Sequence, residues 1–435
     1  MTRIAAQFVG WSLLAGCASS PPPWRATSPD LRTPIEVAVH GQRSCVKVDQ
    51  RSDGCFDGVS IHAITFSESG GHAAYPVRIG ARWAIVRDGI VGAAWDGVGK
   101  PVLNADGSRL AYPALSGTDW RVVVDDVAGV SFDAIMDRSI TFDPLGRRLG
   151  YVGRRGDSMH VVVGESSSRG WDAVARLTFA DDGKHFGYVA RAGAQMMLVV
   201  DDKAQQPHAR VSDFALARDG GGSAYVMRDS AGWYVVDGAS RSGPFAEVRS
   251  LTYMPPNGVL SFVARQGDLE AVFVAGVPNS GWYAAVDAPV FGAPGKGWGY
   301  VAHAKGYDEV YVDGALRGRE EHAGDLAIGA DGVRHAYVAS AGNRMAIVDD
   351  RARHDLDLVI DGTLQFIANG SRWVCLAGDR RSRALYVVLD GAATSRRLDW
   401  SEMVRFVQQP GADDALRGWV AAAGILALED ARRAP

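Results

Sequence analysis

An aromatic residue recurs along this chain at nearly constant spacing, and this periodicity constrains the fold more than any other feature. From residue 75 to residue 373, successive members are 36 to 39 residues apart. Each one lies in a short apolar run, such as GYVA at 187–190 or AYVM at 224–227. A period of this length is typical of repeat architectures, in which each unit packs against its neighbours. The members are Tyr75, Tyr112, Tyr151, Tyr188, Tyr225, Phe262, Tyr300, Tyr337 and Trp373.

Each repeat is predicted to contain four short β-strands. The aromatic run is interpreted as the first strand, and a second apolar run closes on Asp-Gly or Asp-Asp, which is a hairpin signal. Weaker third and fourth strands are predicted near 132–133 and 177–179. Runs such as MMLVV at 196–200 are apolar at every position, which indicates strands that are buried on both faces. The pattern predicts an all-β fold, a multi-bladed β-propeller with about eight to ten short four-stranded blades and a repeat of ~37 residues.

The repeats are predicted to occupy residues 35–429, with a short tail at 430–435. Weaker copies flank the clear ones. SCVKVD at 44–49 is interpreted as the second strand of an earlier unit, and WVAAAGILALE at 419–429 as one further pair of strands. Only the stretch near 412–423 favours a helical turn or two. The even spacing gives no position at which two smaller rings would divide, so one ring and two rings both stay open.

The turns carry a family resemblance. The segments FADDGK at 179–184, NADG at 104–107 and FDPLG at 142–146 resemble the turn of TolB-type (WD-like) β-propellers. The resemblance covers roughly residues 35–429. It implies a propeller that binds partner proteins or small ligands at the ends of the ring and is generally non-enzymatic. Gly164 and Ala275 depart from the pattern, because they stand where Asp is expected after the second predicted strand.

The N-terminus is predicted to be a lipoprotein signal peptide, residues 1–16. Arg3 supplies a positive charge, and a short apolar stretch from Ile4 to Leu14 follows, too short to span a bilayer. The next residues, LAGC at 14–17, resemble the lipobox of bacterial lipoproteins. The resemblance implies that Cys17 is the lipidation site and the first mature residue. The alternative is an ordinary signal peptide with a coincidental Cys17.

Residues 17–34 are then predicted to be the lipidated cysteine and a tether rich in Pro and Ser. Ala18 follows Cys17, and the absence of Asp there favours the outer membrane in proteobacterial lipoproteins. The expected location is therefore the bacterial cell envelope, on the periplasmic face of the outer membrane. The expected partners are the membrane, through the lipid on Cys17, and a protein of the envelope. A net charge of −4 with scattered basic residues gives no indication of nucleic-acid binding.

Three further cysteines follow. Cys45 and Cys55 lie on either side of a predicted turn, and in an oxidising compartment they are expected to form a disulfide; two buried thiols are the alternative. Cys375 lies in the apolar run WVCL and is expected to be an inert core thiol.

The motifs of common catalytic and metal sites do not occur in this sequence. It contains no G-x-S-x-G, H-E-x-x-H, H-x-H or C-x-x-C. No catalytic residue, metal site or cofactor is therefore predicted. Acidic pairs such as Asp125-Asp126 and Asp201-Asp202 could ligate calcium, but their place in the repeat favours hairpin turns. The polar segment 353–357 is interpreted as an exposed loop, with ligand contact as the alternative.

Three functions are compatible with these observations. The favoured one is a membrane-anchored envelope lipoprotein whose propeller is a non-catalytic binding or scaffolding module for a protein or small ligand. The second is a propeller enzyme, such as a glycan-acting hydrolase or lyase, with a site at the mouth of the channel. Such sites gather residues from several blades and leave no local motif. The third is a purely structural element.

Overall fold

The protein folds into ten consecutive antiparallel sheets, and a helix follows the last of them. The computed structural model describes residues 23–28, 32–255, 258–292, 296–367, 370–382, 384–398 and 412–433. In every sheet the strands follow chain order, so each strand pairs with its neighbours in sequence. The chain is an all-β, multi-bladed β-propeller, as the repeat predicted.

The first five sheets occupy residues 24–204. In three of them the first strand is split into two short pieces. The strands of sheet 1 are Trp24–Thr27, Pro34–His40, Arg43–Val48 and Arg51–Phe56; of sheet 2, Gly58–Val59 with Thr65–Phe66, then Ala73–Ile79, Arg82–Arg87 and Ile90–Val91; of sheet 3, Gly97–Val98 with Val102–Leu103, then Leu110–Ser116, Asp119–Val124 and Val127–Phe132; of sheet 4, Ala134–Ile135 with Thr141–Phe142, then Leu149–Arg155, Ser158–Val163 and Ser166–Ser167; of sheet 5, Ala173–Phe179, Phe186–Ala192, Gln195–Val200 and Lys203–Ala204.

The other five sheets occupy residues 210–398, and the helix follows at Ala412–Arg433. A short 3-10 helix, Ile61–Ala63, interrupts the first strand of sheet 2. The strands of sheet 6 are Arg210–Leu216, Ser223–Arg228, Trp233–Asp237 and Ser240–Phe245; of sheet 7, Glu247–Met254, Val259–Gln266, Leu269–Val274 and Val277–Pro278; of sheet 8, Ala285–Val286 with Val290–Phe291, then Trp298–Ala304, Tyr307–Val312 and Ala315–Glu320; of sheet 9, His322–Ile328, His335–Ala341, Arg344–Asp349 and Arg353–Leu356; of sheet 10, Leu358–Val359 with Gln365–Ile367, then Arg372–Asp379, Ala384–Leu389 and Ala392–Leu398.

The recurring aromatic lies in the second strand of its sheet, and not in the first as the pattern suggested. In sheet 5, Tyr188 pairs with Val199, and the strand Ala173–Phe179 precedes it. Residues 177–179, predicted to be a fourth strand, are therefore the end of a first strand. The sequence could not fix this phase, because every strand is joined to the next by a short turn and either grouping preserves the period.

The apolar cores lie between successive sheets. In each of nine clusters, side chains of one sheet pack against those of the next, and a tenth cluster joins sheet 10 to the helix. Tyr75, for example, is fully buried between sheets 1 and 2, and its hydroxyl donates to Asp53 at 2.7 Å. Both faces of the internal sheets are covered, which explains why their strands are apolar at consecutive positions.

The register corrects the last member of the aromatic series. Ala377 pairs with Val359 in sheet 10, as Ala190 pairs with Val174 in sheet 5. Cys375, and not Trp373, therefore occupies the place of Tyr188. Trp373 lies two residues earlier and packs in the same core between sheets 9 and 10.

The two ends of the chain differ from their predicted structures. Trp24–Thr27, within the expected tether, is a strand that pairs with Pro34–Val37, and Trp24 packs against the core between sheets 1 and 2. At the other end, the expected strand pair at 419–429 and residues 430–433 of the expected tail belong to the helix Ala412–Arg433. That segment is rich in Ala and Leu, the strongest helix formers, and its apolar side chains cover sheet 10. Across the described residues, no helix combines the length and the apolar character needed to cross a membrane.

Candidate functional site

The cysteines occupy three different settings. Cys17 lies outside the described residues. Cys45 and Cys55 are directly opposite each other on the third and fourth strands of sheet 1, with Cα atoms 3.9 Å apart, and their sulfur atoms are bonded. Cys375 is fully buried, and burial raises the pKa of its thiol to about 12. A thiol with so high a pKa is not a nucleophile near neutral pH.

The acidic pairs form turns. Asp125, Asp126, Asp201 and Asp202 all have positive φ between 48° and 67°. The carboxylate of Asp201 accepts the backbone N–H of Phe186 at 3.0 Å, which ties the turn to the start of the second strand. No group of three or more metal-ligating side chains occurs among the described residues.

The polar segment 353–357 is held by neighbouring side chains. Arg353 lies 3.1 Å from Glu320 of the preceding sheet, and His354 lies 3.1 Å from Asp349. Asp349 also accepts a hydrogen bond of 2.8 Å from the indole N–H of Trp373. These contacts join sheets 8, 9 and 10, which gives the segment a structural role.

A bulge interrupts the first strand of the sheets at the same place, and it is the best candidate for a binding site. In sheets 5, 7 and 9 the pairing with the second strand shifts over residues 175–178, 249–252 and 324–327. Arg176, Ser250 and Asp325 have φ of 57°, 58° and 50° there, which directs the backbone away from the ladder. First strands of neighbouring sheets also contact one another, as expected of strands that line the central channel of a propeller.

The charges at these first-strand bulges are divided between two halves of the chain. Sheets 2 to 5 carry His, Lys or Arg in the bulge, and sheets 6, 8, 9 and 10 carry an acidic residue in or next to it. There are two exceptions: Asp137 lies beside Arg138 in sheet 4, and Arg249 lies at the bulge of sheet 7. We call these sets the basic arc and the acidic arc. The basic arc is His62, Lys100, Arg138 and Arg176, and the acidic arc is Asp213, Asp287, Asp325 and Asp361.

The two arcs meet where sheet 5 adjoins sheet 6. Arg176 forms an ion pair with Asp213 at this junction. Farther along the acidic arc, Asp325 is half-buried and accepts the N–H of Gly362 at 2.6 Å, and burial raises the pKa of its carboxyl. Lys100, His62 and Asp361 are exposed. The arrangement provides opposite charges on two sides of the first-strand surface.

Sheets 7 and 8 break the repeat with buried carboxylates. Glu270 and Asp308 occupy equivalent positions in the third strand, opposite the residue three places after the aromatic. Only 14% of the Glu270 side chain and 8% of the Asp308 side chain is exposed. The equivalent residues of seven other sheets are apolar: Trp83, Trp120, Met159, Met196, Trp233, Met345 and Leu385.

Both carboxylates reach the first strand of the following sheet. Glu270 accepts the N–H of Val286 at 3.0 Å and a hydrogen bond of 2.6 Å from Arg249. Asp308 accepts the N–H of Ala323 at 2.8 Å. Burial acts to raise the pKa of Glu270, but the hydrogen bonds from Arg249 and Val286 outweigh it and the pKa is lowered. Glu270 is therefore ionised at neutral pH.

His303 connects the buried carboxylates to the acidic arc. Its imidazole nitrogens lie 3.0 Å from Asp308 and 3.2 Å from Asp287. Burial alone would lower the pKa of His303, but hydrogen bonds to Asp287 and Asp308 together raise it above its usual value. No sequence motif marks this cluster; the available signal was acidic residues at a repeat position where Trp or Met is usual.

Two sets of turns at opposite ends of the sheets differ in charge. We call the end with the second-to-third-strand turns the connection end, since the chain passes between sheets there, and the opposite end the turn end. We counted the described residues of the second-to-third-strand turns with one flanking residue on each side. They include eight basic and five acidic residues: Arg43, Arg82, Arg155, Arg228, Lys305, Arg344, Arg380 and Arg381, against Asp119, Asp157, Asp229, Asp268 and Asp379.

The third-to-fourth-strand turns reverse this balance. With their flanking residues they hold five basic and twelve acidic residues at the turn end: Arg51, Arg87, Lys203, Arg351 and Arg353, against Asp49, Asp88, Asp125, Asp126, Glu165, Asp201, Asp202, Asp237, Asp313, Asp349, Asp350 and Asp390. The second-to-third-strand turns are therefore more basic than the third-to-fourth-strand turns, but the connections between sheets, which also lie at the connection end, add eight acidic residues and two basic ones.

Ten consecutive four-stranded sheets define a protein of the β-propeller class. No protein-family model and no curated protein matches the chain. Among solved structures, it is similar to the dihydro-heme d1 dehydrogenase NirN in complex with DHE, with 15% identity, a TM-score of 0.36, and coverage of 65% of this chain and 71% of that one.

Two further solved structures are similar at the same low level. TolB from Acinetobacter baumannii is 15% identical, with a TM-score of 0.24 and coverage of 51% of this chain and 60% of that one. The Dos1 propeller is 8% identical, with a TM-score of 0.33 and coverage of 59% and 85%. These similarities carry no information on ligand or reaction.

Proposed function

We propose that the protein is a lipid-anchored envelope protein whose propeller binds a polar partner, a protein or small ligand, without catalysis. The observation that carries the binding role is the divided charge of the first-strand bulges. Charged side chains at these bulges, where the hydrogen-bond pairing of the strand is interrupted, contribute little to the stability of the sheet. The exposed members, Lys100, His62 and Asp361, are available for recognition, and opposite charges on two sides orient a polar partner.

The anchor rests on the sequence. LAGC at 14–17 follows a basic start and a short apolar stretch, and the proposed lipid on Cys17 fixes the protein to the periplasmic face of a membrane. The expected experiment is metabolic labelling with a fatty-acid analogue, comparing the natural protein with Cys17→Ser. Label and membrane association should both disappear in the variant. If the two proteins label and fractionate alike, the anchor is wrong.

The binding site is tested by photo-crosslinking in intact envelopes. A photoreactive amino acid at Lys100 of the basic arc should give a defined adduct, whereas the same group at Lys203, on the edge strand of sheet 5, should not. Arg138→Glu should remove the Lys100 adduct, because it reverses the neighbouring charge. An adduct that is insensitive to Arg138→Glu, or equally strong from Lys203, would contradict the proposed site.

Glu270 and Asp308 do not provide the acid–base pair that the alternative of a glycan-acting enzyme requires. A glycosidase needs one protonated carboxyl as general acid and a second carboxylate beside it. Glu270 has a lowered pKa, and both Glu270 and Asp308 are engaged by backbone N–H groups. Their contacts support a role in joining sheets 7, 8 and 9.

A further inference from the structure

We infer that the fourth strand of sheet 3, Val127–Phe132, binds an extended segment of another protein. The segment pairs with it as an additional edge strand and has an apolar centre flanked by basic residues. The fourth strand of each sheet, which we call the outer strand, lies at the opposite edge from the first strand. This surface is therefore separate from the first-strand bulges, and it does not depend on the proposed lipid anchor.

Most outer strands of this protein are protected against pairing with another chain. Natural sheets protect an open edge by keeping it short or by placing charged residues or proline in it. Nine of the ten outer strands in the described part of the chain follow this rule. Four have only two residues each: Ile90–Val91, Ser166–Ser167, Lys203–Ala204 and Val277–Pro278. Five are longer and contain charged residues or proline: Arg51–Phe56, Ser240–Phe245, Ala315–Glu320, Arg353–Leu356 and Ala392–Leu398.

The outer strand of sheet 3 has none of these protections. Its six residues, VAGVSF, include no charged residue and no proline. The four residues 127–130 are exposed in succession, with 71% of Val127 and 55% of Val130 accessible to solvent. A bulge at Val122 interrupts the pairing with the third strand, but the outer strands of sheets 1, 6, 8 and 10 have similar bulges and carry charges as well. The missing charge is therefore specific to sheet 3.

The backbone of this strand has hydrogen-bonding capacity at its outer edge. Among the described residues, it makes one hydrogen bond besides its pairing with Asp119–Val124: the guanidinium of Arg155 donates to the carbonyl of Ser131 at 2.9 Å. Successive residues of an edge strand direct their N–H and C=O groups alternately towards the sheet and away from it. The groups that point away are available to an added strand.

The charges that flank this strand indicate the chemistry of the partner. Asp125 and Asp126 precede it at the turn end, Asp133 follows it at the connection end, and all three are exposed. Arg109 forms an ion pair with Asp125 at 2.8 Å. Asp133 accepts the N–H of Gly156 at 2.7 Å and, like Asp126, has no ion-pair partner in the part of the chain that the structure describes. Basic residues on both sides of an apolar segment would match these two carboxylates.

The same charges disfavour a second copy of this chain as the occupant. Two copies of Val127–Phe132, aligned antiparallel over their full length, would place Asp126 of each copy opposite Asp133 of the other, and like charges in opposite positions destabilise a strand pair. Arg155 lies near the connection end, where it also stacks over the ring of Phe132 at 5.0 Å. The larger contribution to charge recognition is therefore expected at Asp126.

The test is the binding of synthetic peptides to the full-length protein, measured by fluorescence anisotropy and located by hydrogen exchange. The probe is a short peptide with Lys at both ends and alternating Val and Thr between them, a composition that favours extended structure. It should bind saturably and slow the exchange of the backbone amides of Val127–Phe132, with no change in Ala315–Glu320. The same peptide with N-methylated central residues should not bind, because it lacks the backbone donors.

Matched variants locate the site. Val130→Lys places in the outer strand of sheet 3 the kind of charge that protects the other long outer strands, and it should abolish binding. Leu316→Lys makes a similar change in the outer strand of sheet 8, at a residue that is 49% exposed, and should leave binding unchanged. Asp126→Asn should weaken binding severalfold, and Asp133→Asn should weaken it less. Denaturant unfolding checks that the four variants remain as stable as the natural protein.

Four results would overturn the inference or one of its parts. No binding of the peptide with Lys ends, or equal binding by Val130→Lys, would refute the site. Equal binding of a peptide with Glu in place of both Lys residues would refute the basic character of the partner. Binding of the N-methylated peptide would refute strand addition. A dimer of the natural protein in analytical ultracentrifugation that Val130→Lys dissociates would identify a second copy as the occupant instead.

Discussion

The first and last sheets each have one face without a neighbouring sheet, and they differ in the composition and cover of that face. An internal sheet is covered on both faces by its neighbours, whereas a sheet at the end of the series has one neighbour. Sheet 10 keeps two apolar faces, and the helix covers the second one with Leu416, Val420 and Ala423. Sheet 1 has one apolar face, and its other face carries charged residues such as Glu36 and Lys47.

Sheet 1 is stabilised by a covalent bond instead of a second core. The disulfide between Cys45 and Cys55 joins its third and fourth strands. A bond of this kind stabilises without burying surface, since it restricts the unfolded chain. The comparison teaches that a terminal unit of a repeat protein needs a cap, which can be a packed element or a change of composition with a crosslink.

The largest effect is expected where the helix packs on sheet 10. Val420 is fully buried there, so Val420→Asp should lower the free energy of unfolding by about 3 kcal/mol or more, because it places a charge in an apolar contact. Denaturant unfolding measures the change. Ile425→Asp, at a position 42% exposed on the same helix, is the control and should change it by less than about 1 kcal/mol. Equal effects would show that the helix does not cap the sheet.

The crosslink in sheet 1 should contribute somewhat less. Replacing both Cys45 and Cys55 with Ser should cost about 2–3 kcal/mol, the value expected for a closed loop of ten residues. Unfolding with and without reductant provides the check. Reductant should destabilise the natural protein by a similar amount and leave the double variant unchanged. A double variant as stable as the natural protein would mean that sheet 1 needs no crosslink.

In the internal sheets, the contribution of His303 to stability is expected to depend on pH, which provides a comparison with the two terminal caps. The pKa of His303 is raised in the folded protein, so its stabilising contribution is present below the ordinary pKa and is lost as pH rises through the folded value. The free energy of unfolding should therefore decline as pH increases above about 6.5. His303→Gln should reduce this slope, and His62→Gln, at an exposed position, should not. An unchanged slope in His303→Gln would show that Asp287 and Asp308 do not govern the imidazole.

A smaller gain is expected at an internal turn. Ala275 has φ of 51°, a conformation that glycine adopts without steric cost. Ala275→Gly should raise the free energy of unfolding by about 0.5–1 kcal/mol. Ala271→Gly, in the buried strand of the same sheet, should lower it by a similar amount. Thermal unfolding of the two variants compares them directly, and a loss of stability in Ala275→Gly would contradict the interpretation.

The smallest effect concerns a contact that joins the two ends of the chain. Arg32, just before the second strand of sheet 1, lies 2.7 Å from Glu429 of the helix. Both side chains are partly exposed, so a double-mutant cycle with Arg32→Ala and Glu429→Ala should give a coupling of about 0.5 kcal/mol or less, decreasing with salt. A coupling above about 1 kcal/mol would mean that the two caps act as one unit.

The sequence supported the architecture well because the repeat is carried by buried residues. Tyr188 and its equivalents revealed the period of the repeat, and the continuously apolar strands indicated that both faces of each sheet are covered. The phase of the repeat and the two terminal caps were harder to predict from the sequence. Trp24–Thr27 was hidden in a polar segment, and the apolar helix segment 419–429 resembled a pair of strands in hydrophobicity although its Ala content favours a helix.

The candidate site could not be predicted from any local pattern. Lys100, Arg176 and Asp361 lie in different sheets, and their shared place becomes visible only when the first-strand bulges are aligned by register. Glu270 and Asp308 could not be predicted either, because an acidic residue at the edge of an apolar run is also the pattern of a turn. Their burial follows from packing between sheets, which sequence distance does not encode.

The order of strands within each sheet has a consequence for how the chain acquires its structure. Every sheet is built from consecutive residues, so no sheet waits for a strand from the far end of the polypeptide. As the chain enters the compartment in which it folds, each unit can close once its own segment is available. Cys45 and Cys55 are only ten residues apart and belong to the unit that emerges first, whereas the helix that covers sheet 10 emerges last. Assembly can therefore proceed as a series of local steps from the N-terminus to the C-terminus.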